Sequence, residues 1–268
     1  MPLPMMPAQI NSPHLFANAE AGAVVAQVHS AAGRHPLAAL AVVIPVGPGD
    51  DSWPALLADL GALPPGAEIC LVTCAPASIP PSAVQSPSAA QTSVQWQLAA
   101  QGRALQQNTG AGATQNPWLW FVHADSRLGP TTLAALARFM RSSDIDRIGF
   151  FDLAFHDGPA LMRLNACGAW LRSRLFGIPF GDQGLLMSRA TFDRLGGFDE
   201  GCAYAEDHAM IWQAKRLGIA LRAAGAPLYT SARKYTEHGW LSTTARHLIM
   251  TWQQARVFSR QLRGRLPR

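Results

Sequence analysis

The apolar run Leu-Ala-Val-Val-Ile-Pro-Val, at Leu40–Val46, constrains the fold of this chain more than any other feature. It carries no polar residue at any position, and a turn rich in glycine and proline follows it. A strand that is apolar at every position is buried on both faces, as in a parallel sheet covered by helices. The run therefore predicts a central strand of such a sheet.

Further strands and helices alternate along the chain. The other predicted strands are Glu68–Thr73, Trp118–His123, Ile148–Phe155, Gly184–Ser188 and Ile219–Ala223. The predicted helices are Trp53–Leu60, Gln101–Ala113, Thr131–Met140, Ala160–Phe176, Arg189–Leu195, Ala205–Leu217 and Thr243–Leu262. Strands that alternate with helices through the first half predict an α/β domain with a mainly parallel central sheet flanked by helices. A loop rich in proline, serine and glutamine is expected over Ala75–Ser93.

The length of 268 residues fits one large domain. Residues 1–36 are rich in alanine and proline without a sustained period, which predicts a mobile N-terminal tail. The domain itself is expected over residues 37–240, followed by a basic C-terminal helix over residues 241–268. That helix either packs on the domain or rests on a membrane surface, and the sequence leaves both interpretations open.

The net charge of +5 favours anionic partners. Nucleic acid is not among the expected partners, because no recognised binding motif accompanies the charge. The arginines of the terminal stretch are Arg246, Arg256, Arg260, Arg263, Arg265 and Arg268. The four cysteines show no zinc-ligand spacing, which is typical of reduced thiols. With no apolar run long enough to span a bilayer and no signal-peptide pattern, we expect a cytoplasmic protein, peripheral to the inner face of the membrane if the terminal helix docks there.

His123 and Asp125 leave a predicted strand at its carboxyl end. In open α/β sheets, ligands bind beyond this end of the strands. Side chains two residues apart on an extended segment point the same way, so both residues can face one ligand. A carboxylate here can hold Mg²⁺ or Mn²⁺ together with phosphate oxygens. The alternative is a turn-forming aspartate without a ligand.

Two more segments carry candidate chemistry. Glu206 and Asp207 open a predicted helix, where carboxylates interact favourably with the helix dipole. As an alternative to that stabilising role, an ionised carboxylate at this place can act as a general base toward a hydroxyl group. The Gly-Asp-Gln-Gly sequence that contains Asp182 and Gln183 suits either hydrogen bonds to sugar hydroxyls or an ordinary turn.

Taken together, these segments resemble the family-2 glycosyltransferases, which have the GT-A (nucleotide-diphospho-sugar transferase) fold. The resemblance covers roughly residues 38–250, and its order is more specific than any single piece. The matching segments are LAVVIPV at 40–46, Gly102-Arg103-Ala104 continuing to Asn108–Ala111, HADSRL at 123–128, GDQGLLMSRATFDRLGGFDE at 181–200, AEDHAMIWQAKRLG at 205–218 and TSARKYTEHG at 230–239. A compact bacterial subgroup, whose metal motif reads His-Ala-Asp, is the most similar.

The resemblance implies a metal-dependent, inverting enzyme of the hexosyltransferase type that moves a sugar from a nucleotide diphosphate to an acceptor hydroxyl. It implies that Asp125, helped by His123, holds Mn²⁺ or Mg²⁺ on the donor diphosphate. Asp207 would be the catalytic base, with Glu206 beside it in the acceptor site.

The resemblance also implies residues that bind the nucleotide sugar. Arg103 and Asn108 match the segment near the nucleotide, and Asp182 and Gln183 match the sugar or acceptor cleft. Ser231 and Arg233 match a basic loop that can close over the diphosphate through charge-assisted hydrogen bonds.

Three segments depart from the family pattern. Where the predicted second strand ends, Val72–Ala75 lacks the carboxylate that in the family usually contacts the base of the nucleotide. Val46–Asp50 lacks the Asn-Glu turn that is common in the family, and Tyr235 stands where tryptophan is usual. The missing carboxylate motivates one alternative, a non-catalytic carbohydrate- or nucleotide-binding module on the same fold. A second alternative is a nucleotidyltransferase, but the segment after the first strand lacks the basic residues usual in those enzymes.

Overall fold

The computed structural model describes residues 35–76, 79, 93–142, 144–201, 205–246 and 249–250. The predicted N-terminal tail, most of the predicted loop at 75–93 and the end of the predicted terminal helix therefore lie outside the described residues. Within the described part, no helix combines the length and the apolar character that crossing a bilayer requires.

Eight strands and seven helices are described. The strands are β1 Leu40–Val46, β2 Glu68–Thr73, β3 Ser93–Leu98, β4 Trp118–Phe121, β5 Arg127–Leu128, β6 Arg147–Phe155, β7 Leu185–Ser188 and β8 Ala220–Thr230. The helices are α1 Trp53–Leu60, α2 Arg103–Ala113, α3 Thr132–Met140, α4 Met162–Leu175, α5 Arg189–Leu195, α6 Glu206–Arg216 and α7 Arg233–His238. Pro36–Ala39 and Gly181–Gln183 form single 3₁₀ turns, and residues 240–246 and 249–250 are helical.

All eight strands form one sheet in the order β3-β2-β1-β4-β7-β6-β8-β5. β1 is parallel to β2 and β4, β2 is parallel to β3, and β6 is parallel to β8. β7 runs antiparallel to both of its neighbours, and β5 runs antiparallel to β8. The α/β fold with a mainly parallel central sheet, predicted from the sequence, is confirmed. Because β7 alone reverses between β4 and β6, the carboxyl ends of β1–β4, β6 and β8 share one edge of the sheet.

Helices cover the sheet on both faces. The side chains of β1 alternate between two apolar clusters: Val42 and Ile44 pack on one face with α1 and α3, and Val43 packs on the other with α2, α5 and α6. Every residue of β1 is buried. The uninterrupted apolar run therefore has the physical cause inferred for it, which is burial on two faces.

Gly110 lets α2 lie directly on the sheet. A Cβ atom at this position would be 2.4 Å from Cγ1 of Val43 and 3.0 Å from Cγ2 of Val72. We expect Gly110→Ala to destabilise the protein by about 1–3 kcal/mol, because β1 and β2 must shift to admit a methyl group. Thermal unfolding measures this cost, which corresponds to a Tm lower by roughly 2–12 °C.

Gly112 provides the matched control, since it lies on the same helix and a Cβ there would meet nothing within 4 Å. Gly112→Ala is expected to leave Tm unchanged or to raise it, because alanine has the higher helix propensity. Equal Tm values for the two variants would contradict the close packing of α2 on the sheet.

Candidate active site

The edge of the sheet formed by the carboxyl ends of the strands gathers the acidic residues singled out in the sequence. His123 and Asp125 follow β4, and Asp182 lies in the 3₁₀ turn that precedes the reversed strand β7. Glu206 and Asp207 form the first turn of α6. The topology thus brings three segments that are distant in sequence to one place.

Asp207 is held against the turn that carries Asp182. The backbone N–H of Gly181 donates a hydrogen bond of 3.1 Å to Oδ2 of Asp207. A Cβ atom at position 181 would lie only 2.1 Å from the same oxygen, so this approach requires glycine. Asp207 is 9% exposed, and its Oδ1 has no hydrogen-bond partner among the described residues. One carboxylate oxygen is fixed, and the other is available.

Burial and, after it, the neighbouring charges of Glu206 and Asp182 raise the pKa of Asp207 from 3.8 to about 7. The Arg103 guanidinium and the Gly181 N–H oppose this increase. A carboxylate whose pKa lies near neutrality can accept a proton at physiological pH and remain a stronger base than an ordinary aspartate.

Asp182 joins the two ends of the site. Burial raises its pKa, Arg172 opposes the increase, and the negative charge of Asp125 adds to it. Its Oδ1 is buried without a hydrogen-bond partner among the described residues. The charge of Asp125 raises the pKa of Asp182, and the charge of Asp182 raises the pKa of Asp207. The three carboxylates are therefore electrostatically coupled. Asp125 and Asp207 form no ion pair within the described part of the chain.

Asp125 is partly buried and accepts a hydrogen bond of 3.3 Å from the Thr230 hydroxyl at the end of β8. The loop that carries Asp125 is also anchored to α1, because Arg127 donates hydrogen bonds of 2.7 and 3.0 Å to the two carboxylate oxygens of Asp59. The loop after β4 is therefore fixed at both ends, and the Asp125 carboxylate is positioned by the fold.

His123 supplies a neutral imidazole beside Asp125. Burial lowers the pKa of His123 well below 6.5, and the charges of Arg103 and Lys234 lower it further. Its Nε2 is buried and has no hydrogen-bond partner among the described residues. A neutral imidazole nitrogen with a free lone pair is a competent ligand for a divalent ion.

Asp125 and His123 suit a site that is completed by substrate. No group of three His, Cys, Asp or Glu side chains that could hold a metal occurs in the described ranges. Mg²⁺ bound with nucleotides typically takes one or two protein carboxylates and fills its remaining positions with phosphate oxygens and water. One carboxylate and one unpartnered imidazole nitrogen therefore suit an ion that is bound together with a nucleotide, rather than an ion held by protein ligands alone.

Arg103 brings positive charge to this acidic group. It begins α2, is 46% exposed, and places Nη1 3.5 Å from Oε1 of Glu206. Glu206 is itself only 6% exposed. The guanidinium also lowers the pKa values of His123, Asp182 and Asp207, so it lies near all of them. A partly exposed cation at this point can contact an anionic ligand.

Two residues predicted to line the nucleotide and sugar clefts have their amides engaged within the protein. The Asn108 amide donates to the Phe198 carbonyl and to Glu200, and its oxygen accepts from the Phe198 N–H. Gln183 is completely buried and binds Arg172, the Phe180 N–H and the Phe151 carbonyl. Through these hydrogen bonds, both side chains hold the loops of the site in place.

Ser231 and Arg233 belong to the junction between β8 and α7. The Ser231 hydroxyl donates to Oδ2 of Asp157 at 2.8 Å, and the Ala232 N–H donates to the other oxygen of the same carboxylate. The side chain of Arg233 is exposed. Asp157, which follows β6, therefore fixes the beginning of α7 and leaves the arginine at the surface.

A stack of three side chains beneath the site was not predicted. The Arg172 guanidinium carbon lies 3.3 Å from the centre of the Phe180 ring, and His208 lies on Phe180 at 4.0 Å between ring centres. Burial, together with the charge of Arg172, lowers the pKa of His208 to about 4, so the imidazole is neutral. Arg172 gives no local sequence signal, because its partners are contributed by the loop that follows α4.

A cavity of about 330 Å³ opens at the same edge, between the end of β6 and the beginning of α4. Its lining includes Phe155 and Met162, together with the polar side chains of His156 and Arg163. Phe155 packs against Tyr235 at 6.0 Å between ring centres, and Asp182 contributes to the raised pKa of Tyr235. None of Asp125, Asp182 and Asp207 is among the residues that line the cavity.

The raised pKa of Asp207 predicts a pH-dependent loss of stability. Since the folded-state pKa lies above the ordinary value, the contribution of this group is fully present below pH 3.8 and is lost as the pH rises through about 7. We expect Asp207→Asn to be more stable than the natural protein above pH 7, by on the order of 2–4 kcal/mol, with the difference vanishing near pH 4.

Urea unfolding at several pH values measures this difference. Asp193→Asn serves as the control, because Asp193 is an exposed carboxylate on α5 and its replacement should give a small, nearly constant change. A pH-independent difference between Asp207→Asn and the natural protein would show that Asp207 has an ordinary pKa.

Comparison with solved structures identifies the fold. The structure is similar to the mannosyltransferase PcManGT from Pyrobaculum calidifontis in complex with GDP-Man and Mn²⁺, with a TM-score of 0.59 and 17% identity over 89% of this chain and 73% of that one. It is also similar to S. aureus TarS 1-349, with a TM-score of 0.55 and 16% identity over 72% of this chain. The complex of TarS 1-349 with UDP-GlcNAc gives a TM-score of 0.50 and 16% identity over 72% of this chain and 58% of that one.

The chain spans 60% of the length of the TarS 1-349 structure. No protein-family model matches the sequence, and no curated protein matches it. The structural likeness establishes a GT-A fold, as the resemblance of the sequence implied.

Proposed function

We propose that this protein is a metal-dependent, inverting glycosyltransferase of the hexosyltransferase type, which transfers a sugar from a nucleoside diphosphate to an acceptor hydroxyl. The observation that carries the proposal is the convergence of Asp125, Asp182 and Asp207 at the ligand-binding edge of a GT-A sheet. Two solved proteins of similar fold contain GDP-Man with Mn²⁺ and UDP-GlcNAc, which supports a nucleotide-sugar donor and a divalent ion.

On the donor side, Asp125 and His123 would hold Mn²⁺ or Mg²⁺ together with the diphosphate. When bound, such an ion neutralises the negative charge that develops on the departing nucleoside diphosphate. Arg103 and the exposed Arg233 supply further positive charge that can pair with phosphate oxygens. Asn108 and Gln183 act indirectly in this proposal, because they fix the loops around the site.

On the acceptor side, Asp207 is the general base. The acceptor oxygen forms a bond to the anomeric carbon of the sugar as the bond between that carbon and the diphosphate oxygen breaks. The acceptor proton passes to the free oxygen of Asp207, while the other oxygen stays hydrogen-bonded to Gly181. A single displacement of this kind inverts the configuration of the anomeric carbon. Glu206 and Asp182 keep the pKa of the base high.

Thermal unfolding with nucleotides tests the proposal directly. GDP, UDP and other nucleoside diphosphates are added with and without Mn²⁺, since a ligand that binds only the folded state must stabilise it. At 100 times Kd the gain is about 2.7 kcal/mol, which corresponds to a rise in Tm of roughly 5–11 °C. No shift with any common nucleoside diphosphate at millimolar concentration would count heavily against the proposal.

A second assay separates catalysis from binding. A panel of nucleotide sugars is incubated with the protein and Mn²⁺, and release of the nucleoside diphosphate is measured. Slow donor hydrolysis that disappears in Asp125→Ala would support an enzyme. Stabilisation by nucleotides without hydrolysis or transfer would instead favour a binding module, as the missing carboxylate at the end of β2 suggests. Release of pyrophosphate from a sugar phosphate and a nucleoside triphosphate would indicate a nucleotidyltransferase.

A further inference from the structure

Helix α4 turns a row of leucines toward solvent. Leu164, Leu171 and Leu175 are spaced by seven and four residues, which places them on one side of a helix. They are 59%, 44% and 66% exposed. Gly168 lies in the same row, and a Cβ atom there would meet nothing within 4 Å. The row therefore has open space in front of it in the described structure.

The other side of α4 already packs on the domain. Met162, Ala169 and Ser173 repeat the same spacing and are buried, in a helix that contacts β6. Six of the nine large apolar side chains that are exposed in the described structure fall between Leu161 and Phe176. A helix on the surface of a soluble domain normally has a polar outer side, and a concentrated apolar patch marks a surface that binds something.

Positive charge runs beside the leucine row. Arg163, Trp170 and Arg174 form the next row around the helix, and all three are exposed. Arg174 lies 5.7 Å from the Trp170 ring and pairs with Asp152, whereas Arg163 makes no ion pair with any described residue. The helix contains no acidic residue, and since Arg172 stacks on Phe180, Arg163 and Arg174 carry its charge at the surface. Leucines flanked by tryptophan and arginine are typical of helices that lie in the interface of a lipid bilayer.

The neighbouring C-terminal residues continue the same chemistry. Trp240 donates a hydrogen bond of 2.6 Å to Asn165 of α4, so the helical residues 240–246 lie against α4. Leu241 and Ile249 are exposed. Arg246 in the same segment is also exposed, and this combination of basic and apolar side chains favours an anionic partner surface.

The remaining segments of the chain offer little charge complementarity to this surface. Residues 251–268 contain five arginines and no aspartate or glutamate. Residues 1–34 contain one acidic residue, Glu20. A cationic patch beside an apolar row is better matched by anionic lipid headgroups above acyl chains than by either segment.

We propose that the exposed side of α4 docks this protein on an anionic lipid surface. The leucine row, Leu164, Leu171 and Leu175, enters the boundary between headgroups and acyl chains, and Arg163 contacts lipid phosphates. Arg163 also lines the cavity at the edge of the sheet, so docking brings that cavity to the membrane surface. The proposal is independent of the sugar-transfer activity, because lipid binding is measured without nucleotide or acceptor.

Sedimentation of the full chain with vesicles tests this surface. We expect binding to phosphatidylcholine vesicles that contain phosphatidylglycerol, and weaker binding to pure phosphatidylcholine or at high salt. The double variant Leu164→Gln/Leu171→Gln should bind anionic vesicles at least about tenfold more weakly, since two leucines no longer enter the apolar layer. Leu98→Gln is the matched control, because Leu98 is 53% exposed on β3 and should not affect binding.

A second measurement uses the natural protein and leaves the leucine row unchanged. Cys167 lies on the exposed side of α4, and its modification by a water-soluble maleimide should slow when anionic vesicles are added. The Cys167→Ser protein gives the background from the other cysteines.

Three outcomes would overturn the proposal. The full chain fails to bind anionic vesicles, the double leucine variant binds as well as the natural protein, or vesicles leave Cys167 equally reactive. A dimer that becomes monomeric in the double variant, without any vesicle binding, would assign the leucine row to a second copy of the chain.

Discussion

Asp207→Asn is expected to lower the rate of sugar transfer by about 10²–10⁴-fold while nucleotide binding stays nearly unchanged. Asparagine has the same shape as aspartate, and its amide oxygen can still accept the Gly181 hydrogen bond. Its NH₂ group then occupies the place of Oδ1, which has no partner among the described residues. The substituted side chain therefore fits the site but cannot accept a proton.

Two measurements separate the effects of this substitution. Turnover of the best donor from the nucleotide-sugar panel gives the loss of rate, and the Mn²⁺-dependent shift of Tm by a nucleoside diphosphate reports donor binding. On the proposed mechanism, the natural protein should also lose activity as the pH falls through about 7, the pKa of Asp207, and the variant should lack this dependence.

Asp193→Asn, on the exposed side of α5, is the matched control and should transfer sugar at the natural rate. Full activity of Asp207→Asn would remove Asp207 from the chemistry. A variant that does not fold would return Asp207 to the role of stabilising the first turn of α6.

Asp125→Ala has the second large expected effect, which is loss of the Mn²⁺-dependent part of nucleotide binding. The natural protein should gain about 2.7 kcal/mol from Mn²⁺ and nucleoside diphosphate at 100 times Kd, and the variant close to none of the gain that needs the metal. The reason is that Asp125 is the only carboxylate of the proposed ligand pair, and His123 alone is a weak anchor for a hard divalent ion. Thermal unfolding with and without Mn²⁺ measures the difference.

Thr230→Val provides a graded control for this experiment. It removes the hydroxyl that donates to Asp125 but keeps the carboxylate, so the Mn²⁺-dependent gain should shrink without disappearing. If Asp125→Ala keeps the full gain, the metal is held elsewhere or is not bound, and the proposed donor site is incorrect.

The elements with strong local boundaries could be predicted from the sequence to the residue. β1, β2, α1 and α5 have the predicted bounds. β1 is a continuous apolar run, α1 has proline in its first turn and glycine at its end, and α5 ends at Gly196 with positive φ. In each case the local sequence signal and the tertiary packing favour the same bounds, so the sequence alone predicts them.

Other elements lacked such signals. β3, at Ser93–Leu98, alternates valine and tryptophan with glutamine, and it continues a stretch rich in serine and glutamine that resembles a loop. β8 runs to Thr230, well beyond the predicted Ala223, because its pairing with β6 resumes after a bulge that contains Gly225. Glycine and proline predict the end of a strand, whereas here a longer partner strand carries the ladder past them.

In the candidate site, too, the residues with a local sequence signal could be predicted and the others could not. Strand ends and helix starts could be predicted, and with them the places of Asp125 and Asp207. The Gly-Asp-Gln-Gly pattern singled out Asp182, and the resemblance to a known family added Arg103. The engaged amides of Asn108 and Gln183, and the stack on Phe180, depend on contacts between distant loops and leave no pattern in the sequence. Side chains that serve a ligand and side chains that hold a loop can therefore have the same local sequence context.

The reversed direction of β7 determines which backbone groups face Asp207. The neighbouring strands β4 and β6 end at this edge of the sheet, whereas β7 begins there. The turn that leads into β7 therefore contributes a backbone donor, the Gly181 N–H, to the site. A backbone N–H remains a hydrogen-bond donor after most substitutions. At position 181, however, only glycine leaves room for the Asp207 carboxylate. The reversed strand thus gives the proposed catalytic carboxylate a main-chain hydrogen bond that most substitutions leave intact and that a side chain at position 181 would block.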